Sequence, residues 1–338
     1  MINERIKLVA PRRMEIFFQD EEITEDSVIV RPRYLSICAA DQRYYTGSRS
    51  KEILDKKLPL SLIHEAVGEV LYDPKNEFKK GDRVVLIPNL PFEKNEIIKE
   101  NYLRSSKFRA SSHDGFLQNV VVMRRDRIID IKNIDFSIAS LLEPVSICVN
   151  AIEEFMKKAH SKRESIGVWG CGSIGYLTTL LLKKYLPDSK IIIFGTNEEK
   201  LNYFSFADEV VLVNKVPDGL KIDHAFECVG GKKSEDAVQQ IIDLINPQGV
   251  ISLLGVSENP IAIETRMVLE KGLTLIGNSR SSYEDFYKSI EIMQEEKIQD
   301  YIDNIIMDVV EVNSINDIYK AFDLDLNNYF KTVMKWNI

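Results

Sequence analysis

The pattern of hydrophobic and polar positions changes near Ala139. Before this residue, short runs such as EITEDSVIVRPRYLSIC, AVGEVLYD and LQNVVVM have the alternation and the β-branched residues of strands, which predicts a mostly-β region with polar turns. After it, SLLEPVSICVNAIEEFMKK has helical periodicity, and strand-like segments then alternate with helix-like ones as far as GLTLIGN. This alternation predicts a doubly wound parallel sheet, and hence a protein of the α/β class.

The predicted elements divide the chain into two domains. From about Ser279 the sequence returns to helices and ends in a strand-like run, KTVMKWN. A chain of 338 residues is also long for a single hydrophobic core. We therefore expect one domain from residues 1–145 and 279–338, with a nucleotide-binding domain, residues 146–278, inserted in it.

Composition narrows the partners and the compartment. The net charge of −8 argues against non-specific binding to nucleic acid, which needs surplus cations. The longest apolar run, IGYLTTLLL, is cut off by Lys183 and Lys184, so no membrane partner is expected. The N-terminus lacks the apolar segment of a signal peptide, and four cysteines lie without paired spacing. These features favour a cytoplasmic protein.

A glycine-rich turn predicts a dinucleotide site. In IGVWGCGSIGYL, the glycines Gly170, Gly172 and Gly175 have the GxGxxG spacing between a strand-like and a helix-like segment. The first glycine permits a tight turn, the second lets the backbone approach a pyrophosphate, and the third allows close packing of helix and strand. A glycine-rich turn without a ligand is the alternative.

The end of the next strand favours NADP(H) over NAD(H). An NAD site usually has an acidic residue there, but KIIIF continues into Gly195 and Thr196. No carboxylate would repel a 2′-phosphate at this position, Thr196 can donate a hydrogen bond, and Lys200 adds a cation. The two glutamates before Lys200 argue the other way unless they face solvent. Three further residues are expected to end strands and shape the cofactor pocket: Asp223, Cys228 and Gly255.

Candidate metal ligands lie in the first half of the chain. His64 and Glu65 occur together in the mostly apolar run SLIHEAVGEV, Cys38 lies in YLSICAADQ, and Glu143 lies in LLEPVS. Thiolate, imidazole and carboxylate are the usual ligands of zinc, and a catalytic site leaves one position open. Spacing alone leaves open whether these are ligands or ordinary core residues.

Taken together, these motifs resemble the zinc-dependent medium-chain alcohol and polyol dehydrogenases. The resemblance runs nearly end to end and rests on the Cys-x-x-Asp turn at 38–41, HEAVGEV at 64–70, GDRVV at 81–85, EP at 143–144 and the glycine-rich turn. It implies a GroES-like, mostly-β catalytic domain beside a Rossmann domain. It also implies one catalytic zinc, with four residues as ligands: Cys38, His64, Glu65 and Glu143. The alternative for Glu65 is an ion pair with a core arginine.

The sequence departs from this family in three places. The stretch 92–114, where many relatives hold a structural zinc with four cysteines, contains no cysteine, so no structural zinc is expected. Ala40 stands where many relatives have a proton-relaying Ser or Thr, and Arg43 stands where some have a relay His. The proton must then come through water, Glu65, Tyr44 or Tyr45, or a hydroxyl of the substrate.

Within this family, the chain is most similar to the ribulose-5-phosphate reductases. The stretches SICAADQRYYTG, LPLSLIHEAVGEV, KIDHAFECVGG and VLEKGLTLIGNSRSS carry this similarity. It implies NADPH-dependent and zinc-dependent reduction of D-ribulose 5-phosphate to D-ribitol 5-phosphate for teichoic acid or capsule synthesis. Arginine suits a phosphate dianion, and Arg43 is the favoured member of a basic set: Arg43, Arg49, Arg104, Lys107, Arg109 and Arg280.

Other functions and partners remain open at this point. An NAD-dependent polyol or threonine-like dehydrogenase is the enzymatic alternative, and a non-catalytic NADP-binding protein is the other. The resemblance further implies a cytidylyltransferase as a partner of the pathway. It also implies a homodimer in which the strand GVISLLGV continues a sheet across a two-fold axis.

Overall fold

A computed structural model describes all residues, 1–338, and contacts divide them into two compact units. The first consists of Met1–Ser146 and Arg280–Ile338, and the second of Ile147–Ser279. No helix combines the length and the apolar character needed to cross a membrane.

Seventeen strands and eleven α-helices make up the chain. The strands are β1 (Ile2–Ala10), β2 (Arg13–Asp20), β3 (Ser27–Ser36), β4 (Glu65–Tyr72), β5 (Arg83–Leu86), β6 (Asn89–Leu90), β7 (Lys107–Phe108), β8 (Val121–Arg124), β9 (Ile128–Asp130), β10 (Ser165–Trp169), β11 (Lys190–Gly195), β12 (Glu209–Leu212), β13 (His224–Glu227), β14 (Val250–Leu253), β15 (Thr274–Gly277), β16 (Ile306–Val312) and β17 (Lys331–Trp336). The helices are α1 (Ala39–Tyr45), α2 (Lys51–Lys57), α3 (Phe136–Ala139), α4 (Leu142–Lys158), α5 (Ser173–Tyr185), α6 (Glu198–Leu201), α7 (Ser234–Leu244), α8 (Thr265–Lys271), α9 (Tyr283–Ile292), α10 (Glu296–Asp303) and α11 (Ile315–Asp325).

A seven-stranded sheet organises the first unit. Its strands follow the order β16-β17-β3-β4-β5-β9, and β8 also pairs with β3. Strand β17 lies antiparallel to β3, which lies antiparallel to β4, so Val333, Ser36 and Glu65 are side by side on three strands. Gly68 permits the close approach of β4 to β3, because a Cβ there would lie 2.3 Å from the carbonyl oxygen of Arg31. Strand β17 therefore lies inside the sheet, between β16 and β3.

A six-stranded parallel sheet organises the second unit. Its order is β12-β11-β10-β13-β14-β15, which is the doubly wound arrangement and confirms the predicted fold class. The strand order reverses beside β10, and the glycine-rich turn follows this strand. Apolar side chains from α7 and from the strands pack as its core, where the rings of Trp169 and Phe194 stack at 3.8 Å.

The structure corrects the predicted edge of this sheet. The strand within GVISLLGV, β14, lies between β13 and β15 and pairs with both. An interior strand has no free backbone groups to pair with a second chain, so this part of the dimer prediction is wrong. The sheet ends instead at β15 (Thr274–Gly277).

Candidate active site

The fold brings three of the four predicted metal ligands together in the first unit. Cys38 follows β3 as the residue before α1, whereas His64 precedes β4 and Glu65 begins it. Because β3 and β4 are antiparallel neighbours, the end of β3 lies beside the start of β4. One ligand atom from each of the three residues lies within 4.8 Å of the others. Glu65 is 1% exposed and His64 is 7% exposed. A thiol, an imidazole and a carboxylate thus converge in a largely buried position.

Asp41 holds the two segments that supply these ligands. One carboxylate oxygen, Oδ2, accepts a hydrogen bond from the amide of Cys38 (3.2 Å) and lies 3.7 Å from His64 Nδ1. The other oxygen, Oδ1, accepts from the amide of Ile63 at 2.9 Å. Ile63 has a φ of 70°, which is rare for a β-branched residue and must be held by its surroundings. The turn before His64 is therefore a constrained one that Asp41 fixes.

Lys331 forms a buried ion pair with Glu65. Its Nζ donates to Glu65 Oε1 at 2.6 Å, to Oε2 at 2.7 Å and to the carbonyl oxygen of Ile37 at 3.1 Å. Burial lowers the pKa of Lys331, but the neighbouring Glu65 carboxylate and Cys38 outweigh burial, and the pKa is raised overall. The partner of Glu65 is thus a lysine rather than the arginine considered from the sequence.

The charges around these residues fit a divalent cation. Burial, reinforced by Glu65, raises the pKa of the Cys38 thiol to about 12. Burial also raises the pKa of Asp41, and it raises that of Glu143 to about 8 although His64 opposes this. Burial thus disfavours the charged forms of Cys38, Asp41 and Glu143, and a bound cation would stabilise those charged forms. The donor set is that of zinc.

Two tyrosines and an arginine follow Cys38 on α1. Arg43 is half-buried in the last turn of this helix, and the Tyr44 ring lies 4.2 Å beneath the guanidinium carbon of Arg49. The Tyr45 hydroxyl donates to Asp323 at 3.3 Å, so it is already engaged with α11. Of the two tyrosines considered for proton transfer, Tyr45 is therefore the less suitable.

The glycine-rich turn of the second unit has the geometry expected of a dinucleotide site. Gly170 has a φ of 114°, and a Cβ on Gly175 would lie 1.7 Å from the carbonyl oxygen of Gly170. At Gly172 a Cβ would meet nothing within 4 Å. Gly172 precedes α5 and no side chain caps this helix, so the N–H groups of its first turn are available to an anion.

Gly195 ends β11 for a packing reason. A Cβ there would lie 2.8 Å from Cys171 Sγ and 2.9 Å from a methyl carbon of Leu201, so any side chain would require these neighbours to shift. Thr196 is exposed directly after it. Asn197 caps α6 by accepting from the amide of Lys200 at 2.9 Å. An acid of the kind typical of NAD sites would therefore disturb the packing around this position.

Two family models match the chain in succession. The "Alcohol dehydrogenase GroES-like domain" matches residues 24–133, and the "Glucose dehydrogenase C-terminus" matches residues 136–335.

Relatives similar over their full length also match the chain. A ribulose-5-phosphate reductase of Bacillus spizizenii is 50% identical over 341 residues, covering 100% of both chains. Ribulose-5-phosphate reductase 1 of Staphylococcus aureus is 51% identical and covers 99% of both. The chain belongs to the zinc-type medium-chain dehydrogenase family. The resemblance drawn from the sequence motifs is confirmed.

Solved structures of the family show the same architecture. The crystal structure of S. aureus TarJ in complex with NADPH matches with a TM-score of 0.89 and 46% identity over 100% of both chains. L-idonate 5-dehydrogenase from Escherichia coli has a TM-score of 0.86 at 17% identity, covering 99% of this chain and 98% of that one, and this likeness concerns the fold alone.

One predicted cofactor residue lies elsewhere in this dehydrogenase. Asp223 precedes β13 rather than ending it, and its carboxylate accepts hydrogen bonds from the amides of Glu164 and Ser165 at the start of β10. In a parallel sheet the amino ends of the strands lie opposite their carboxyl ends, and the glycine-rich turn follows the carboxyl end of β10. The prediction that Asp223 shapes the cofactor pocket is therefore wrong. Cys228 follows the other end of β13, where its Sγ lies 3.7 Å from Thr178 Oγ1.

Glu227, which the sequence reading did not select, organises this end of the sheet. Its carboxylate accepts from the amides of Val229 (2.9 Å), Gly230 (3.0 Å) and Gly255 (3.1 Å). A Cβ on Gly255 would lie 2.3 Å from the amide nitrogen of Gly230, so the loops after β13 and β14 touch. The sequence signal that could have revealed this role is an acidic residue next to Cys228 in a buried strand.

The glycine-rich turn gives a testable contrast. Gly175→Ala places a methyl group against backbone, so we expect a marked loss of thermal stability in the second unit. Gly172→Ala has room for its methyl group, so it should unfold at nearly the wild-type temperature but bind NADPH more weakly where a pyrophosphate approaches. Thermal unfolding and NADPH titration distinguish the two effects. Equal stability of both variants would contradict the described turn.

Proposed function

We propose that this chain reduces D-ribulose 5-phosphate to D-ribitol 5-phosphate with NADPH and one catalytic zinc, in teichoic acid or capsule synthesis. The observation that carries the proposal is its 50% identity, over the full length of both chains, to a ribulose-5-phosphate reductase. The similarity to TarJ, solved with NADPH, supports the choice of cofactor.

Four residues would hold the metal: Cys38, His64, Glu65 and Glu143. The convergence of Cys38, His64 and Glu65, and the burial that raises the pKa values of Cys38 and Glu143, support this assignment. Zinc bound there would supply a Lewis acid for the substrate carbonyl. The absence of cysteine from residues 92–114 supports a single zinc.

The remaining residues of the site position these ligands. Asp41 orients His64 and keeps Cys38 at the start of α1, because its two oxygens bind both segments. Lys331 holds both oxygens of Glu65, so movement of Glu65 towards a metal would loosen this pair. Ala40 has no hydroxyl to relay a proton, so the proton reaches the substrate oxygen through water, Glu65, Tyr44 or a hydroxyl of the substrate. Arg43 remains a candidate for contact with the substrate phosphate.

The second unit would bind NADPH, which supplies the hydride. The N-terminus of α5 would face the pyrophosphate beside Gly172. Gly195 places no carboxylate beside the 2′-phosphate of NADPH, and Thr196 and Lys200 would contact this phosphate. Cys228 and Gly255 would border the nicotinamide end of the pocket.

The direct test is NADPH oxidation followed by absorbance with D-ribulose 5-phosphate as substrate. We expect rapid turnover with NADPH, at least about tenfold lower kcat/KM with NADH because the 2′-phosphate contacts are lost, and no turnover after chelation until zinc is returned. The matched substrate control is D-xylulose 5-phosphate, which differs from D-ribulose 5-phosphate only in configuration. Folded, zinc-loaded protein that oxidises polyols with NAD and ignores D-ribulose 5-phosphate would overturn the proposal.

We propose two partners for this chain. We propose a homodimer in which β15, the edge of the parallel sheet, pairs with its copy, and light scattering at the mass of a monomer would contradict it. The product is a polyol phosphate, which a cytidylyltransferase would consume, and co-purification with that enzyme would test their association.

A further inference from the structure

Strand β2 has an outer edge that no other strand of the chain covers. It pairs only with β1, in a two-stranded sheet. On its other side, β1 is bonded to the rest of the first unit through backbone groups of Glu4, Ile6 and Leu8. The sheet is therefore closed on the side of β1 and open on the side of β2.

The same bonds determine which residues of β2 point outward. In an antiparallel pair, the backbone groups of two opposite residues point either towards each other or both away. The three residues of β1 that bond elsewhere have partners on β2 that must also point away: Phe18, Ile16 and Met14. Met14 agrees with this, because its amide donates to the Tyr319 hydroxyl at 2.7 Å. Ile16 and Phe18 direct their amides and carbonyl oxygens to the open edge.

The side chains of these two residues are also exposed. Ile16 is 47% exposed and Phe18 is 73% exposed. The charged residues of β2 lie nearer its ends, so the middle of the strand, Ile16–Phe18, carries no charge. An open edge with apolar side chains and no charge is the kind of edge that pairs with a strand of another chain.

A second copy of β2 can complete this edge in antiparallel pairing. Outward residues must face outward residues, so Ile16 can lie opposite Ile16, Phe18 or Asp20 of the second copy. The first register would place Phe18 opposite Met14, whose amide is already bonded to Tyr319. This register therefore loses half of the hydrogen bonds that Phe18 and Ile16 can form.

Charge distinguishes the other two registers. With Ile16 opposite Asp20, Glu15 would face Glu21 of the second copy, and like charges directly opposite destabilise a sheet. With Ile16 opposite Phe18, Arg13 would face Glu21 instead, which is a pair of opposite charges. The sequence of β2 is thus complementary to itself in this register.

We propose that two copies of this chain associate by antiparallel pairing of their β2 strands, with Ile16 of each copy opposite Phe18 of the other. Four backbone hydrogen bonds form, and the two isoleucines and two phenylalanines lie together on one face of a four-stranded sheet. The two-fold axis passes beside Phe17. This contact is separate from the pairing proposed at β15, and it does not depend on the reaction that the chain catalyses.

Phe18→Lys tests the contact, because it places a charge at the centre of the paired edge. We expect the mass of the largest species, measured by sedimentation over a range of concentrations, to fall to half of the wild-type value. Phe18 is largely exposed in the single chain, so the unfolding temperature should change little. The matched control is Ile97→Lys, since Ile97 is 94% exposed but lies outside any strand, and it should keep the wild-type mass. Equal masses of wild-type protein and Phe18→Lys at every concentration would overturn the proposal.

A cysteine cross-link tests the register. Phe17 would face Phe17 of the second copy in a pair without hydrogen bonds, with Cα atoms about 4.5 Å apart, a distance that a disulfide spans. Oxidised Phe17→Cys should therefore form linked pairs of chains, above the background of wild-type protein treated in the same way. Phe18→Cys should not, because its counterpart would be a diagonal neighbour about 7–8 Å away. Linking of Phe18→Cys but not of Phe17→Cys would refute this register.

Discussion

Cys38→Ser is expected to lower kcat/KM for D-ribulose 5-phosphate by about a thousandfold, the rate equivalent of the several kcal/mol that a Lewis acid supplies. Serine replaces a soft thiolate by a hydroxyl that stays protonated, so the site should also lose zinc. The convergence of Cys38 with His64 and Glu65 within 4.8 Å is the basis of this expectation. Kinetics and metal content after gel filtration measure both effects.

Cys148→Ser is the control for this substitution. Cys148 is also buried, and its thiol is paired with Thr178 Oγ1 (3.4 Å) and the carbonyl oxygen of Ile174 (3.8 Å), partners that a serine hydroxyl can keep. We expect it to retain zinc and turnover. Full activity of a zinc-free Cys38→Ser enzyme would refute a catalytic metal at this position.

Lys331→Met is expected to lower the free energy of unfolding of the first unit by about 3–5 kcal/mol, because it leaves the Glu65 carboxylate buried without its partner. Both side chains are nearly inaccessible, at 7% and 1% exposure. The measurement is denaturant unfolding of metal-free protein. Each unit contains one tryptophan, so in a Trp169→Phe background the fluorescence of Trp336 reports on the first unit.

The same strand provides the matched control. Lys335 pairs with Glu311 at 2.7 Å, but these side chains are 42% and 61% exposed, and exposed pairs contribute about 0–1 kcal/mol. Lys335→Met should therefore have a small effect. Adding Glu65→Gln to Lys331→Met should recover part of the lost stability, because the buried charge is removed. Equal losses of unfolding free energy for Lys331→Met and Lys335→Met would contradict a larger contribution from the buried pair.

The features that sequence predicted best depend on local chemistry. The GxGxxG turn requires glycines at fixed spacing, because Gly170 has a positive φ and Gly175 has no room for a Cβ. Strand β3 and the run after His64 carry β-branched and apolar residues that signal buried strands. Such signals lie within one turn or strand, so a single sequence contains them.

The features that sequence did not predict depend on neighbours distant in the chain. Lys331 is 266 positions from Glu65, and in NYFKTVMKW it looks like any polar residue of a strand. The position of β14 inside the sheet, and that of Asp223 before β13, depend on strand order and boundaries, which periodicity does not give. The Phe108 ring lies 4.8 Å from the guanidinium carbon of Arg280 and 5.4 Å from the His64 ring only because the folded chain brings three distant segments together.

The pairing of β17 with β3 has a consequence for biosynthesis. Ribosomes make the strand that contains Lys331 after the whole parallel-sheet unit, whereas Cys38, His64 and Glu65 are made before it. A nascent chain thus carries these candidate metal ligands through the synthesis of that unit without the lysine that pairs with Glu65. Glu65 therefore gains its buried partner only after the whole parallel-sheet unit, Ile147–Ser279, has been made, because that unit lies between the two residues in the chain.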